Sequence, residues 1–312
     1  MTRVLVAGAA GFIGRHVVDY VLDETDWEVV ALTRGQLPAA PPRDRVSWFS
    51  LELPRTARVG PFHWEAFGPI DYVINLVADA DPWRSITHPV DVFENNVGSC
   101  QTLLEWARTQ PNLQRFIQVS SAEVFGVNDY AFRENAAPYP LSPYAASKAA
   151  QDVLALAYRE AYKVPVIVSP TANVFGEGQP SNRFLPTVVR RVLAGESVTV
   201  ASGWRRFIHA RDCAAAWVWM LQHAPEQWSR CNVAGERECD HAGFVQAILT
   251  AMRGRLPDSV TLRAAGEGEL RAAQCGDVVL DGSRLADAGW RHPLGLDAGI
   301  ERAVAAELKE LS

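Results

Sequence analysis

Short apolar runs recur through the first half of the chain, and segments with helically spaced apolar positions lie between them. Val4–Ala7, Trp27–Leu32, Tyr72–Leu76, Arg115–Ser120 and Val164–Ser169 read as strands. Phe12–Leu22, Val90–Gln110 and Tyr144–Tyr162 read as helices. Strands that are apolar throughout are buried on both faces, so the alternation predicts an α/β fold with a doubly wound parallel sheet. After Asn173 the regularity fails. Residues 177–206 carry Gly, Pro, Arg and Trp, and residues 254–295 read as short strands and loops. These stretches predict a smaller α+β lobe, while Phe207–His223 and Cys231–Val233 read as a return to the main domain. The predicted division is residues 1–173 plus 207–233 for the main domain and 174–206 plus 234–312 for the lobe.

The first strand runs into Gly8-Ala9-Ala10-Gly11-Phe12-Ile13-Gly14. The first glycine allows a tight turn, the second lets backbone approach a pyrophosphate, and the third lets helix pack on strand. Together with the amides of Phe12 and Ile13 at the helix start, this is an anion site and a dinucleotide-binding fingerprint, which makes the main domain Rossmann-like. About 20 residues further on, such folds that prefer NAD carry an acidic residue for the ribose hydroxyls. Here the second strand ends in Thr33-Arg34-Gly35 instead. An arginine at that place pairs with a 2′-phosphate and stacks on adenine, so the sequence favours NADP over NAD.

Composition narrows the setting. The 312 residues suffice for one large core or two lobes, and 48% hydrophobic with 21% charged content describes an ordinary globular chain. A net charge of −6 gives no reason to expect nucleic acid or an acidic membrane as partner. No apolar run approaches the ~20 residues of a transmembrane helix. Met1-Thr2-Arg3 runs directly into a strand, and five cysteines without a Cys-x-x-Cys suggest reduced thiols, so a cytoplasmic location is expected. Cys239-Asp240-His241 reads as a helix start capped by Asp240 rather than as metal ligands, and no metal is expected.

The spacing Gly-x-x-Gly-x-x-Gly, Val119-Ser120-Ser121-Ala122-Glu123-Val124-Phe125-Gly126, Tyr144-Ala145-Ala146-Ser147-Lys148, Asn173-Val174-Phe175-Gly176 and Arg205–Asp212 follow one another in the order found in a known family. The chain resembles the extended short-chain dehydrogenase/reductases, and within them the nucleotide-sugar epimerases, dehydratases and reductases. The resemblance runs from residue 4 to about residue 290. It implies NAD(P) as cofactor, a nucleotide sugar as substrate, and a homodimer built on Val90–Gln110 and Tyr144–Tyr162.

Tyr144 and Lys148 are four apart and share a helix face. A neighbouring ammonium and an oxidised nicotinamide favour phenolate; lowering a tyrosine pKa by ~3 units takes ~4 kcal/mol of differential interaction. The resemblance makes Tyr144 the acid/base and gives Lys148 the cofactor ribose as well. It makes Ser121 the hydroxyl that orients the reacting sugar oxygen, with Ser120 the neighbouring alternative. It gives Asn96 a framework role, and it sets Ser50-Leu51 beside adenine, where relatives often carry Asp. In 4,6-dehydratase relatives an Asp-Glu pair follows the serine. Here Ala122 replaces the acid and Glu123 remains, which disfavours simple dehydration and leaves Glu123 as a base or a substrate contact.

Asn173, Arg205 and Arg271 match positions that contact the nucleotide diphosphate. Pro170 stands where relatives have an arginine, and Asn75-Leu76-Val77-Ala78 replaces a His-x-Ala-Ala, which marks a divergent subfamily. The resulting expectation is hydride chemistry at C4 of a nucleotide hexose, by a 4-ketoreductase or 4-epimerase. The alternatives are a dehydratase or C3/C5 epimerase using Glu123, and a non-catalytic NAD(P)-sensing protein. Such sensors tend to lose the tyrosine and lysine, and both are present here.

Overall fold

The computed structural model describes residues 1–35, 37, 43–53, 64–252, 260–264 and 276–312. Six strands, β1 (Arg3–Ala7), β2 (Glu28–Thr33), β3 (Val46–Ser50), β4 (Tyr72–Asn75), β5 (Arg115–Val119) and β6 (Val166–Ser169), form one sheet. Their order is β3-β2-β1-β4-β5-β6 and every neighbouring pair is parallel. The five strands expected from apolar runs are all present, with ends that move by two residues or fewer. β3 was not among them. Its Val46-Ser47-Trp48-Phe49-Ser50 mixes apolar and polar positions because it is an edge strand, only half-buried.

Strand alternation explains the two-sided core. In β1, Val4 and Val6 point into one cluster and Leu5 and Ala7 into another, all four fully buried. The first cluster is closed by α1 (Phe12–Glu24) through Val17 and Val21 and by α6 (Ala210–His223) through Trp217. The second is closed by α3 (Pro89–Ala107) through Leu103 and Leu104 and by α4 (Pro143–Tyr162) through Ala155. Each of these fully buried valine and leucine side chains contributes about 1.5–3 kcal/mol. α2 (Pro82–Thr87) precedes α3 at the carboxyl end of β4, started by Asp81, which accepts from the amides of Trp83 and Arg84.

A third cluster has its own residues: Phe175, Val189, Phe207, Phe244, Ile248 and Ile300 among others. It joins α5 (Phe184–Leu193), α7 (His241–Ala251) and α9 (Leu296–Glu310), with the short α8 (Ser283–Asp287) before the last. Three two-stranded sheets frame it. β7 (Asn173–Phe175) pairs in parallel with β10 (Phe207–His209), and β8 (Val198–Val200) with β12 (Leu262–Ala264). β9 (Trp204–Arg205) pairs antiparallel with β11 (Cys239–Asp240). Asp240 caps α7 by accepting from the amide of Gly243 at 2.7 Å, as the sequence suggests.

Where this cluster meets the main sheet, the imidazole of His209 is fixed. Its Nδ1 accepts from the amide of Arg211 at 3.1 Å, so a neutral ring carries its proton on Nε2, which faces Glu177 Oε2 at 2.7 Å. Burial pushes the Glu177 carboxyl up, but bonds from His209, its own backbone and Arg302 prevail and hold it at about 2.

Candidate active site

The strand order reverses between β1 and β4, and in such sheets ligands bind outside the carboxyl ends of the strands at that point. Gly8 ends β1 with φ +86°, a conformation that favours glycine. Its amide and that of Ala9 both donate to Leu32 O, at 2.9 and 3.0 Å, which folds the turn against β2. A Cβ on Gly14 would lie 2.1 Å from Gly8 O, so the helix reaches the strand only without a side chain there. Gly11 caps α1 and brings no side chain to the first-turn amides. Those of Phe12, Ile13 and Gly14 therefore have no intrahelical acceptor, and no acidic residue occupies the first turn. These residues fit a dinucleotide pyrophosphate.

Arg34 follows the last residue of β2 and is exposed. Its Nη1 donates to Asn95 Oδ1 at 3.2 Å. Leu51 lies at the end of β3, half-buried against the second core cluster, with its amide on Thr33 O at 2.8 Å. The ends of β2 and β3 are thus joined beside Arg34.

Ser120 and Ser121 leave β5 with different fates. Ser120 is buried and donates to Asp152 Oδ2 at 2.7 Å. Ser121 is half-buried, and its Oγ accepts from the amide of Glu123 at 3.2 Å. The first hydroxyl is committed to the interior, which leaves Ser121 as the one presented at the strand end. Ala122 is buried, and Glu123 is half-buried.

Tyr144 lies in the first turn of α4, after Ser142, whose Oγ caps the helix by accepting from the amide of Ala145. One turn on, Lys148 is 3% exposed, and its Nζ donates to Val119 O at 2.7 Å and to Gln151 Oε1 at 2.5 Å. Burial holds the ammonium below the usual lysine range. The lysine thereby bonds the strand residue two before Ser121 to the helix that carries Tyr144. Asn96 completes the frame. Its Nδ2 donates to Ser147 Oγ at 2.8 Å and to Asp79 O at 3.2 Å, while its Oδ1 accepts from the Asp79 amide at 2.6 Å. Gln151 was not singled out in the sequence; it joins the same network by donating from Nε2 to Asn96 O at 2.6 Å. Its position three residues after Lys148, on the same helix face, is the signal that points to it.

Asn173 is exposed at the start of β7, opposite Phe207 in register and so near Arg205. Arg205 is 3% exposed, and its Nη1 donates to the carbonyls of Trp204 and Gly276. Asp277 O accepts from the amide of Asn128 at 3.0 Å, which brings that segment against the loop after Glu123. Arg271 lies outside the described residues. Among the described residues no group of His, Cys, Asp and Glu could hold a metal ion.

Comparison with known proteins gives a consistent picture. Residues 4–234 match the profile of the NAD-dependent epimerase/dehydratase family. The low-salt glycan biosynthesis protein Agl12 of Haloferax volcanii is 30% identical over 311 residues, covering 96% of this chain and 97% of that protein. A probable dTDP-glucose 4,6-dehydratase of Sinorhizobium fredii is 29% identical, with 97% and 91% covered. Among solved structures, the dTDP-glucose 4,6-dehydratase DesIV of Streptomyces venezuelae, with NAD bound, superposes with a TM-score of 0.81 at 26% identity, covering 99% and 97%. A UDP-N-acetylglucosamine 4-epimerase from Methanobrevibacter ruminantium shares the fold, with a TM-score of 0.85 at 22% identity and 99% of both chains covered.

Proposed function

The chain belongs to the NAD-dependent epimerase/dehydratase family, and on that footing we propose that it performs oxidoreduction at C4 of a nucleotide-activated hexose, as a 4-ketoreductase or a 4-epimerase. The observation that carries this reading is Ala122, buried directly after Ser121. A methyl group cannot protonate a leaving hydroxide at C6, so elimination lacks its acid, while the residues proposed for chemistry at C4, Ser121, Tyr144 and Lys148, are all present.

In this reading Tyr144 takes the proton of the C4 hydroxyl as that carbon is oxidised, or returns it as a ketone is reduced. Ser121 orients the same oxygen. Lys148 favours the phenolate by its charge, and two of its three N–H donors are already held by Val119 O and Gln151 Oε1, leaving one for a cofactor ribose. When bound, the nicotinamide supplies or accepts the hydride. Gly8, Gly11, Phe12, Ile13 and Gly14 would hold its pyrophosphate, and Leu51 would border adenine. We assign NADP rather than NAD because Arg34 stands where an acidic residue would take the ribose hydroxyls. Asn173, Arg205 and Arg271 remain the proposed diphosphate contacts. Arg205 would reach it by exchanging its carbonyl partners for phosphate oxygens, a stronger charge-assisted bond.

Residues 1–173 with 207–233 would form the cofactor domain, and 174–206 with 234–312 the substrate lobe. A homodimer through α3 and α4 is supported by the exposure of Val90 (65%), Phe93 (42%) and Val153 (58%) on those helices. A dimer mass at micromolar concentration, lost in Phe93→Glu, is the expected result. No helix among the described residues is long and apolar enough to cross a membrane. Free, buried Cys100, Cys213 and Cys231 support a reducing, cytoplasmic setting. The deciding experiment is incubation with a panel of nucleotide hexoses and their 4-keto forms, with and without NADPH. Net consumption of NADPH identifies a reductase, and inversion at C4 without it an epimerase. A 4-keto-6-deoxy product would refute the proposal.

A further inference from the structure

Lys148 has an unusual setting for a working ammonium. It is 3% exposed, and both acceptors on its Nζ, Val119 O and Gln151 Oε1, are neutral. A buried ammonium solvated by neutral groups alone tends to lose its proton. Burial does push Lys148 down, and the foremost group opposing that push is Asp152.

Asp152 follows Lys148 by four residues on α4, a spacing that sets side chains about 5–6 Å apart at Cβ. It is 6% exposed. Its Oδ2 accepts from Ser120 Oγ at 2.7 Å, and its buried Oδ1 has no hydrogen-bond partner. Ser120 sits between Val119, whose carbonyl receives Lys148, and Ser121. The strand end is therefore tied to α4 by a pair of adjacent bonds, one from the lysine and one to the aspartate. Four groups face the carboxylate. Lys148 comes from its own helix, Ser120 from the end of β5, Arg230 from the segment after α6, and Cys100 from α3. Arg230 lines the same small cavity as Asp152 and Pro170, and its Nη1 donates to Glu134 O at 3.3 Å. Burial pushes the Cys100 thiol up to about 12, so it is uncharged. Burial also pushes Asp152 up, to about 7, against the pull of Ser120, Lys148 and Arg230.

We propose that Asp152 is a positioning residue: it is the buried counter-charge that keeps Lys148 an ammonium, and its bond to Ser120 pins the strand end that carries Ser121. The consequence for the reaction rests on the roles given above to Lys148 and Ser121, but the charge pair can be tested without them.

The chain contains three lysines, Lys148, Lys163 and Lys309, so ¹³Cε-lysine labelling of the full-length protein gives three resonances. Lys163→Arg and Lys309→Arg assign them. Asp152→Asn keeps the shape and an acceptor oxygen for Ser120 but removes the charge. It is expected to lower the Lys148 titration midpoint by about one pH unit, a tenfold loss of proton affinity. Asp152→Ser, a smaller neutral variant, is expected to lower it likewise and stands in where Asp152→Asn fails to fold. An unchanged Lys148 midpoint in either variant overturns the proposal. Neither reading needs cofactor or substrate, so the pair and the catalytic roles fail separately. Full activity in Tyr144→Phe would remove the catalytic reading and leave the pair, and an unmoved Lys148 beside an inactive Tyr144→Phe would remove the pair alone.

Discussion

His241 provides a test of how the substrate lobe is built. The ring is buried between Phe184 and Phe207, with centroids 5.4 and 5.7 Å away, and its Nδ1 has no hydrogen-bond partner. Burial and then the neighbouring Arg205 guanidinium lower its pKa from 6.5 to about 4, against a bond to the Gly203 backbone. Above pH 6.5 the histidine is neutral whether the chain is folded or not, and it adds no pH dependence. Below 6.5 the unfolded chain binds a proton that the folded one refuses, so stability falls with pH until the folded ring itself protonates at about 4. At 1.36 kcal/mol per unit, the loss is about 2 kcal/mol at pH 5 and approaches 3 kcal/mol near pH 4. His241→Leu fills the same apolar space without a titrating group. It forfeits the Gly203 bond, at a cost of about 1 kcal/mol at pH 7. Urea denaturation at pH 7, 6 and 5 should therefore show the variant slightly weaker at pH 7 and stronger at pH 5. The difference between the two proteins should swing by about 2 kcal/mol over that range. Parallel curves for the two proteins would refute the reasoning, because they would mean that the folded ring protonates as readily as the unfolded one.

Tyr144→Phe should lower turnover by about 10²–10⁴-fold while cofactor affinity stays within a few-fold, checked by titration and steady-state rates. NADP(H) should bind more tightly than NAD(H), and Arg34→Ala should erase most of that margin, roughly 1.5–3 kcal/mol, read from paired binding titrations. Turnover in heavy water should place no deuterium on carbon beside C4, since hydride returning to C4 needs no exchange there. If deuterium does appear and Glu123→Gln stops it, Glu123 is a base, and elimination or C3/C5 epimerisation replaces the C4 reading. Gly14→Ala should abolish cofactor binding and destabilise the fold, because the new methyl would meet Gly8 O at 2.1 Å; wild-type affinity in that variant would contradict the strand–helix contact.

The sheet was legible because burial on both faces demands short, mainly apolar runs, interrupted in β4 and β5 only near their ends by the paired Asn75 and Gln118. β1 shows this directly: Val4–Ala7 feed two separate cores in alternation, so none of these four positions tolerates a polar side chain. β3 escaped because an edge strand with half-buried residues carries a diluted signal. The glycine turn and the Tyr144–Lys148 pair were legible because they obey local rules of backbone freedom and helical spacing. What local rules cannot reveal is which distant group a side chain meets. Ser120 and Ser121 look interchangeable in sequence, and only the bond to Asp152, 32 residues away, separates them. Arg205 reads in sequence as a diphosphate contact, and the bonds of its guanidinium to backbone carbonyls appear only in the fold. His241 reads as a helix-start residue, and its protonation is decided by aromatic rings and an arginine contributed by other elements.

The arrangement behind the candidate catalytic residues follows from the same physics. Asn75 Nδ2 donates to Gln118 Oε1 at 2.8 Å across the middle of the sheet, with both residues fully buried. Cys100 Sγ shares that acceptor, and Lys148, Gln151, Asn96 and Ser147 continue the polar layer towards the end of β5. Each buried polar atom left unpaired costs about 1–3 kcal/mol, so a shift that breaks several of these bonds together is prohibitive. The layer has few alternative arrangements, and that restriction fixes Lys148 against the strand end. Tyr144 and Ser121 sit at its rim, the tyrosine at the first turn of α4 and the serine at the end of β5, where the interior network stops and substrate would begin. Position at the candidate site is therefore set from beneath, by buried residues behind Tyr144 and Ser121, and on the proposed roles variants of Asn96, Ser147 or Gln151 should alter turnover more than they alter substrate affinity.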